Sequence, residues 1–256
     1  MRIAMISEHA SPLAHLGGVA AGGQNVHVAE LSAALARRGH EVVVYTRRDD
    51  PALPDSVETE YGYTVAHLPA GPARPLTKDQ LLQYMYGFAQ YLDAYWLSAP
   101  PDVAHAHFWM SGLATQRAAR PHRIPTVQTF HALGSVKRLH QGPDDTSPGC
   151  RIGVEAAVAR DADWVAATST DEVFELVRMG RARSRTSVVP CGVEVDAFTP
   201  DGPVADRDPG RRAALGTSGR QRARTRYTWD RIAADAERIY DKVVPARRLV
   251  TGSRSG

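Results

Sequence analysis

"GGQNVHVAELSAALARRGHEVVVYTR", residues 22–47, decides how the rest of the chain is read. Val26, Ala29, Leu31, Ala34 and Leu35 give the first part an apolar stripe at helical spacing, and Gly39 supplies a stop. "EVVVYTR" (41–47) follows, rich enough in β-branched side chains to be a buried strand. Just upstream, "RIAMIS" (2–7) is a first strand. The order is therefore strand, glycine-containing loop, helix, strand.

The same alternation continues outward. "YTVAHLP" reads as a third strand, "KDQLLQYMYGFAQYLDAYWL" as a helical region and "DVAHAHF" as a strand. A helix near 110–119, the strand "PTVQTF", a helical segment at 150–160 and the strand "WVAATS" come next. A short helix to about 179 and "TSVVP" near 186–190 complete the run. Ser169 with Glu172 fits a capping box that starts that helix directly after a strand. Such alternation predicts an α/β fold, a single Rossmann-like domain whose mostly parallel sheet carries helices on both faces. No internal repeat is visible.

The character changes at Pro200. Residues 200–219, "PDGPVADRDPGRRAALGTSG", hold four Gly and three Pro, which predicts a linker with at most a helical turn around 210–215. Order returns at "YTWDRIAADAERIYDKV", where Thr228 can cap a helix and Asp230 places a negative charge in its first turn. Trp229, Ile232, Ala236, Ile239 and Val243 repeat at spacings of three and four. A helix of that length is marginal alone in water, so its stripe is expected to dock back on the first domain.

Bulk properties narrow the function classes. A chain of 256 residues with 43% hydrophobic and 23% charged residues suits a globular protein with one good core or two modest ones. No stretch approaches 18 consecutive apolar residues, which predicts no membrane span. "MRIAMISEHA" reads as a strand, not a signal peptide. Cys150 and Cys191 have no metal-ligand spacing and suit a reducing cytoplasm, the expected location. Net charge is +3, unevenly spread: residues 211–256 hold 12 basic against 4 acidic groups. A basic tail could touch anionic lipid as a peripheral membrane contact. Nucleic acid is disfavoured because few aromatics interleave the arginines.

In this architecture ligands bind outside the carboxyl ends of the strands. Gly17, Gly18, Gly22 and Gly23 lie in that region, between first strand and first helix. Small residues there either let a phosphate or sugar approach the helix amides or simply serve a turn with unusual dihedrals. Asn25, in the first turn of the helix, is a candidate substrate-binding residue. A dinucleotide fingerprint is missing, and the second strand ends in Arg47 and Arg48 instead of an acid. His105 and His107 alternate on one strand, yet no third ligand sits at a telling spacing, so no metal is expected. They are either a substrate-side feature, with His107 the candidate, or satisfied histidines inside the sheet. His131 stands at a strand's carboxyl end, where it could hold a sugar hydroxyl or leaving oxygen, or make a local backbone hydrogen bond. Lys78 and Arg151 form an anion site if the fold joins them.

Several segments together resemble the retaining glycosyltransferases of the GT-B fold, family 4. They are "GGVAAGGQNVHVAELSAALARRGHEVVVYTRR", "PDVAHAHFWMSG", "TFHALGSVK", "WVAATSTDEVFELV", "VVPCGVEVDAFTP" and "RYTWDRIAADAERIY". Within that family the chain looks most like enzymes that transfer N-acetylglucosamine to inositol phosphate. The resemblance implies two Rossmann-like domains, the first on the acceptor side and the second holding a UDP- or GDP-sugar as co-substrate, with no further cofactor. It implies that His131 orients the transferred sugar, that Gly22 and Gly23 wall the diphosphate, and that Lys78 and Arg151 hold acceptor phosphate. Two further phosphate ligands of the subgroup are replaced here by Phe108 and Ala132. Each lost donor costs roughly 1–3 kcal/mol, so an unphosphorylated sugar or lipid-linked acceptor becomes an equal candidate.

The resemblance also predicts an internal loss. After "GVEVDAFTP" the family enters its donor domain; here loose residues lead straight to a stretch resembling its final helix. The expected organisation is an acceptor-side domain at 1–199, a linker replacing the donor domain at 200–220, a crossover helix at 221–246 and a disordered tail at 247–256. Three outcomes stand open: a transferase inactive or very weak alone, one whose donor half arrives from a partner chain or another copy at the exposed cleft face, or a non-catalytic sugar-binding or interaction module.

Overall fold

The computed structural model describes residues 1–14, 22–195 and 209–244. Gly17 and Gly18, the first part of the expected linker and the expected disordered tail lie outside the described residues.

In chain order the elements are β1 (Arg2–Ile6), α1 (Gly23–Arg37), β2 (Glu41–Arg47), β3 (Ser56–Glu58) and β4 (Thr64–Leu68). Next come α2 (Lys78–Leu81), α3 (Met85–Ser98), β5 (Val103–His107), α4 (Trp109–His122) and β6 (Thr126–Thr129). The chain continues through α5 (Gly134–Gln141), α6 (Arg151–Asp161), β7 (Trp164–Ala167), α7 (Thr170–Arg178) and β8 (Thr186–Val188). The last elements are α8 (Pro209–Arg226) and α9 (Trp229–Val243).

The eight strands of the described residues join one sheet in the order β3-β4-β2-β1-β5-β6-β7-β8. Every pairing is parallel except β3 with β4. The sheet was therefore expected, and its short antiparallel edge was not: "SVE" is too brief and polar to announce a strand. Strand order reverses between β1 and β5, which places a crevice outside their carboxyl ends.

Two apolar layers sandwich the sheet. On one face Leu81, Phe88, Leu92 and Trp96 join Met110, Ala114, Val158 and Leu176, from α2, α3, α4, α6 and α7. On the other face Val28, Leu31, Ala34 and Leu35 of α1 pack with Trp229, Ile232, Ala236, Ile239 and Tyr240 of α9. The terminal helix thus docks on the sheet beside α1, stripe inward. Full burial of each large side chain contributes about 1.5–3 kcal/mol, far more than the helix's intrinsic propensity. Thr228 caps α9 by accepting from the Arg231 N–H at 3.4 Å. Glu237 binds Arg38 (2.9 Å) and His40 (2.6 Å) across to the end of α1.

Two local expectations need correction. The capping box at α7 is displaced: Ser169 accepts from the Glu172 N–H, but Glu172 returns to the Thr168 N–H, not that of Ser169. Second, where composition predicts a linker with one helical turn, α8 runs for 18 residues. Pro209 at its first position is preorganised for a helix, and Ala and Arg are strong enough helix formers to offset Gly216 and Gly219. The segment entering α9 is tied to the one leaving β8: the Val193 N–H donates to the Tyr227 carbonyl at 2.7 Å. A Cβ on Gly192 would run into the Trp229 ring.

Candidate active site

The carboxyl ends of β1, β5 and β6 carry two clusters of polar side chains. The first is imidazole. His107 ends β5 and is fully buried, and His131 follows β6 in a left-handed conformation (φ 60°). A residue with a Cβ adopts that region at a cost, so the surroundings hold His131 there. His107 Nδ1 meets His131 Nε2 at 2.9 Å, one of the two nitrogens carrying the proton. His27 of α1 lies edge-on to His131, with ring centroids 4.9 Å apart, and edge-on to Trp229 of α9 at 5.4 Å. His105 lies one layer deeper, bonded to the Tyr240 hydroxyl (2.8 Å) and Thr129 Oγ1 (2.9 Å). Of the two strand histidines, then, His105 is a satisfied core residue and His107 supports His131 from beneath.

Burial sets the protonation of this group. It drives His27 down to about 4, and, with the nearby His27, His105 to about 3. His107 falls well below its ordinary value through burial and then its imidazole neighbours; His131 falls the same way, with Lys78 adding to the effect. Neutral imidazole donates and accepts hydrogen bonds but supplies no positive charge. His131 can orient a hydroxyl or a leaving oxygen; it cannot neutralise a phosphate.

The second cluster is cationic and surrounds Phe108, itself at φ 80°. Lys78 Nζ stands 5.4 Å from the centre of that ring and the Arg151 guanidinium 5.3 Å, so the fold does join the two cations. Lys78 is exposed at the start of α2. Arg151 is not free: it donates to Glu155 (2.7 Å), the Ala132 carbonyl (3.0 Å) and Ser147 (3.2 Å). Glu155 also accepts from the Gly134 N–H at 2.7 Å, which locks α5 onto α6. A buried pair of this kind spends most of its field internally. His9 lies edge-on to Phe108 at 4.8 Å and is bonded to Glu8 at 2.7 Å.

The first helix supplies the remaining wall. Gly22 caps α1 with an extended backbone (φ −153°) that any residue adopts, so an unusual dihedral is not what requires glycine there. Among the described residues, a Cβ on Gly23 would meet nothing within 4 Å, and one on Gly22 would come no nearer than 4.0 Å to Asn25 Oδ1. Asn25, expected as a substrate-binding residue, stands in the first turn of α1, where its side chain accepts from the Gly22 N–H (3.1 Å) and donates to the Ser11 carbonyl (2.9 Å).

Sequence reading missed His9, Glu8 and His27. The rule that picked out His131, a polar residue just past a strand's carboxyl end, applies equally to Glu8 and His9. His27 was hidden inside an apolar helical stripe, although an imidazole on such a face was itself a signal.

A family model described as Glycosyltransferase Family 4 matches residues 21–197. The chain belongs to glycosyltransferase family 4. It is 40% identical over 207 residues to a D-inositol 3-phosphate glycosyltransferase of Xylanimonas cellulosilytica, covering 79% of this chain and 50% of the relative. Among solved structures it resembles sucrose-phosphate synthase from Thermosynechococcus elongatus at 32% identity and a TM-score of 0.73, over 84% of this chain and 52% of the synthase. A piece of that synthase comprising its residues 27–220 and 406–426 shares the fold at 22% identity and a TM-score of 0.63, over 94% of this chain and 98% of the piece. This family 4 chain therefore spans about half the length of the relatives it matches. No helix among its described residues is long and apolar enough to cross a membrane.

Proposed function

We propose that this chain is the acceptor-side half of a retaining family 4 glycosyltransferase from which the donor-binding half has been lost internally, leaving it inactive or very weak alone. In the complete reaction a hydroxyl attacks the anomeric carbon on the face that the nucleoside diphosphate leaves. His131, held by His107, orients the transferred sugar. Gly22 and Gly23 admit the diphosphate to the positive end of α1. Lys78 and the ring of Phe108 face the acceptor.

The observation that carries this reading is the shortage of available positive charge at the crevice among the described residues, where Lys78 is exposed but Arg151 is engaged. Burial lowers His27, His107 and His131 below their ordinary range, which favours the neutral form, and Arg151 is matched by Glu155. Charge grows on the leaving diphosphate as the bond opens, and most transition-state stabilisation in such sites comes from preorganised donors and cations. A second wall must bring them, and must also exclude water. The nucleotide is proposed to be UDP or GDP. Phe108 and Ala132, which offer no side-chain donor, favour an acceptor without a phosphate.

A turnover assay with UDP- and GDP-sugars over a panel of acceptors tests this. The expected result is no transfer, or a rate several orders of magnitude below a two-domain relative. A rate near that of such a relative overturns it. In a second reading a partner chain or another copy supplies the missing wall. Light scattering of the purified chain and of its native complex distinguishes the two. Calorimetry that finds a free sugar bound with no nucleotide sugar would instead point to a sugar-binding module.

A further inference from the structure

His27, His107 and His131 each place a ring nitrogen within 4.8 Å of the other two. The three come from α1, the end of β5 and the turn after β6, so no sequence spacing announces them. Two buried nitrogens in the group, His27 Nδ1 and His107 Nε2, have no hydrogen-bond partner among the described residues. A buried polar atom left without a partner is uncommon and calls for an explanation.

We infer that His27, His107 and His131 form a binding site for one borderline divalent transition metal ion, Zn²⁺ being the probe of choice. Three imidazole nitrogens with a fourth position open to solvent make a donor set that suits zinc and discriminates against the hard, oxygen-seeking Mg²⁺ and Ca²⁺. His131 is only partly buried, so the open position faces the crevice.

The proton balance is simple. The His107 Nδ1···His131 Nε2 contact uses one proton. If His107 holds it, a tautomer shift moves that proton to His107 Nε2, the nitrogen now without a partner, and both facing lone pairs become available. Tetrahedral zinc with nitrogen ligands at 2.0–2.1 Å spaces those nitrogens about 3.3 Å apart. The His107–His131 pair must open by a few tenths of an ångström, and His27 must close by at most about 1.5 Å. Lys78, a neighbouring positive charge, works against the ion and sets a limit on its affinity. The site does not depend on the transferase reading, but an ion bound there would occupy the face that His131 offers to a sugar.

The test is calorimetric titration of ZnCl₂ into the chelator-stripped full chain, with MgCl₂ in parallel. One Zn²⁺ per chain at micromolar affinity or tighter, and no Mg²⁺ response, is expected. His27→Phe keeps an aromatic ring against Trp229 and should weaken Zn²⁺ at least tenfold. His140→Gln, which removes an exposed imidazole outside the cluster, should leave binding unchanged. Zn²⁺ binding that is absent, or that is the same in wild type and His27→Phe, overturns the inference. If His27→Phe fails to fold, the visible spectrum of the Co²⁺-loaded wild type decides. Intense tetrahedral d–d absorption supports the site, and the weak spectrum of octahedral, solvated Co²⁺ sinks it.

Discussion

The two faces of the sheet are built in different ways. One is covered by α2, α3, α4, α6 and α7, each lying in the chain between two strands of the sheet, so its core assembles from interleaved sequence. The other is covered by α1 together with α9, whose residues lie some two hundred positions downstream. The same apolar chemistry closes both. Only the second makes the last helix an integral part of the domain, and only there does a site residue, His27, rest against that helix.

Replacing one buried tryptophan on each face gives the largest effect. Trp229→Ala and Trp96→Ala should each cost about 3–5 kcal/mol in denaturant unfolding. Trp229→Ala alone should move the His27 ring resonances in NMR spectra. Equal changes at His27 in both variants would break the comparison. Next, Gly192→Ala forces a methyl into the Trp229 ring and should cost about 1–3 kcal/mol through overpacking, while a neutral result would mean that α9 has room to shift.

Tyr240→Phe sharpens the contrast further. It removes the hydroxyl that partners His105 in the core and should lower stability by about 1–2 kcal/mol with the packing intact. The smallest effect concerns acid. Partial burial pushes Glu237 up, but hydrogen bonds from Arg38 and His40 outweigh it and hold the carboxyl below its ordinary 4.5. Its contribution is therefore complete above that value and is lost as pH falls through the folded-state pKa. Glu237→Gln should flatten the acid limb of a Tm–pH curve below about 4.5 and leave its slope at neutral pH unchanged.

Much of this was legible. β2 falls on the residues its β-branched run predicts, and the docking of α9 followed from its stripe and Thr228 cap. Patterns fail where burial does not organise them. α5, "GSVKRLHQ", has no broad apolar face and buries only its glycine, so periodicity had nothing to detect. In α8 the glycine and proline count masked alanines and arginines that favour a helix with little packing. The place of His131 just past a strand was legible, and the Lys78–Arg151 meeting was anticipated as a condition on the fold. The pairing of Arg151 with Glu155, and the use of Asn25 to brace Gly22, depend on side-chain directions that a linear string does not encode.

The bond between Val193 and Tyr227 has a consequence for what this scaffold can host. It brings together the outgoing and returning segments of polypeptide, so whatever chain lies between them starts and ends near one place. Because closing a longer loop adds only about 0.6 kcal/mol per doubling, that place can serve as a docking port for grafted modules. The body beneath would hold its shape while its cargo is exchanged.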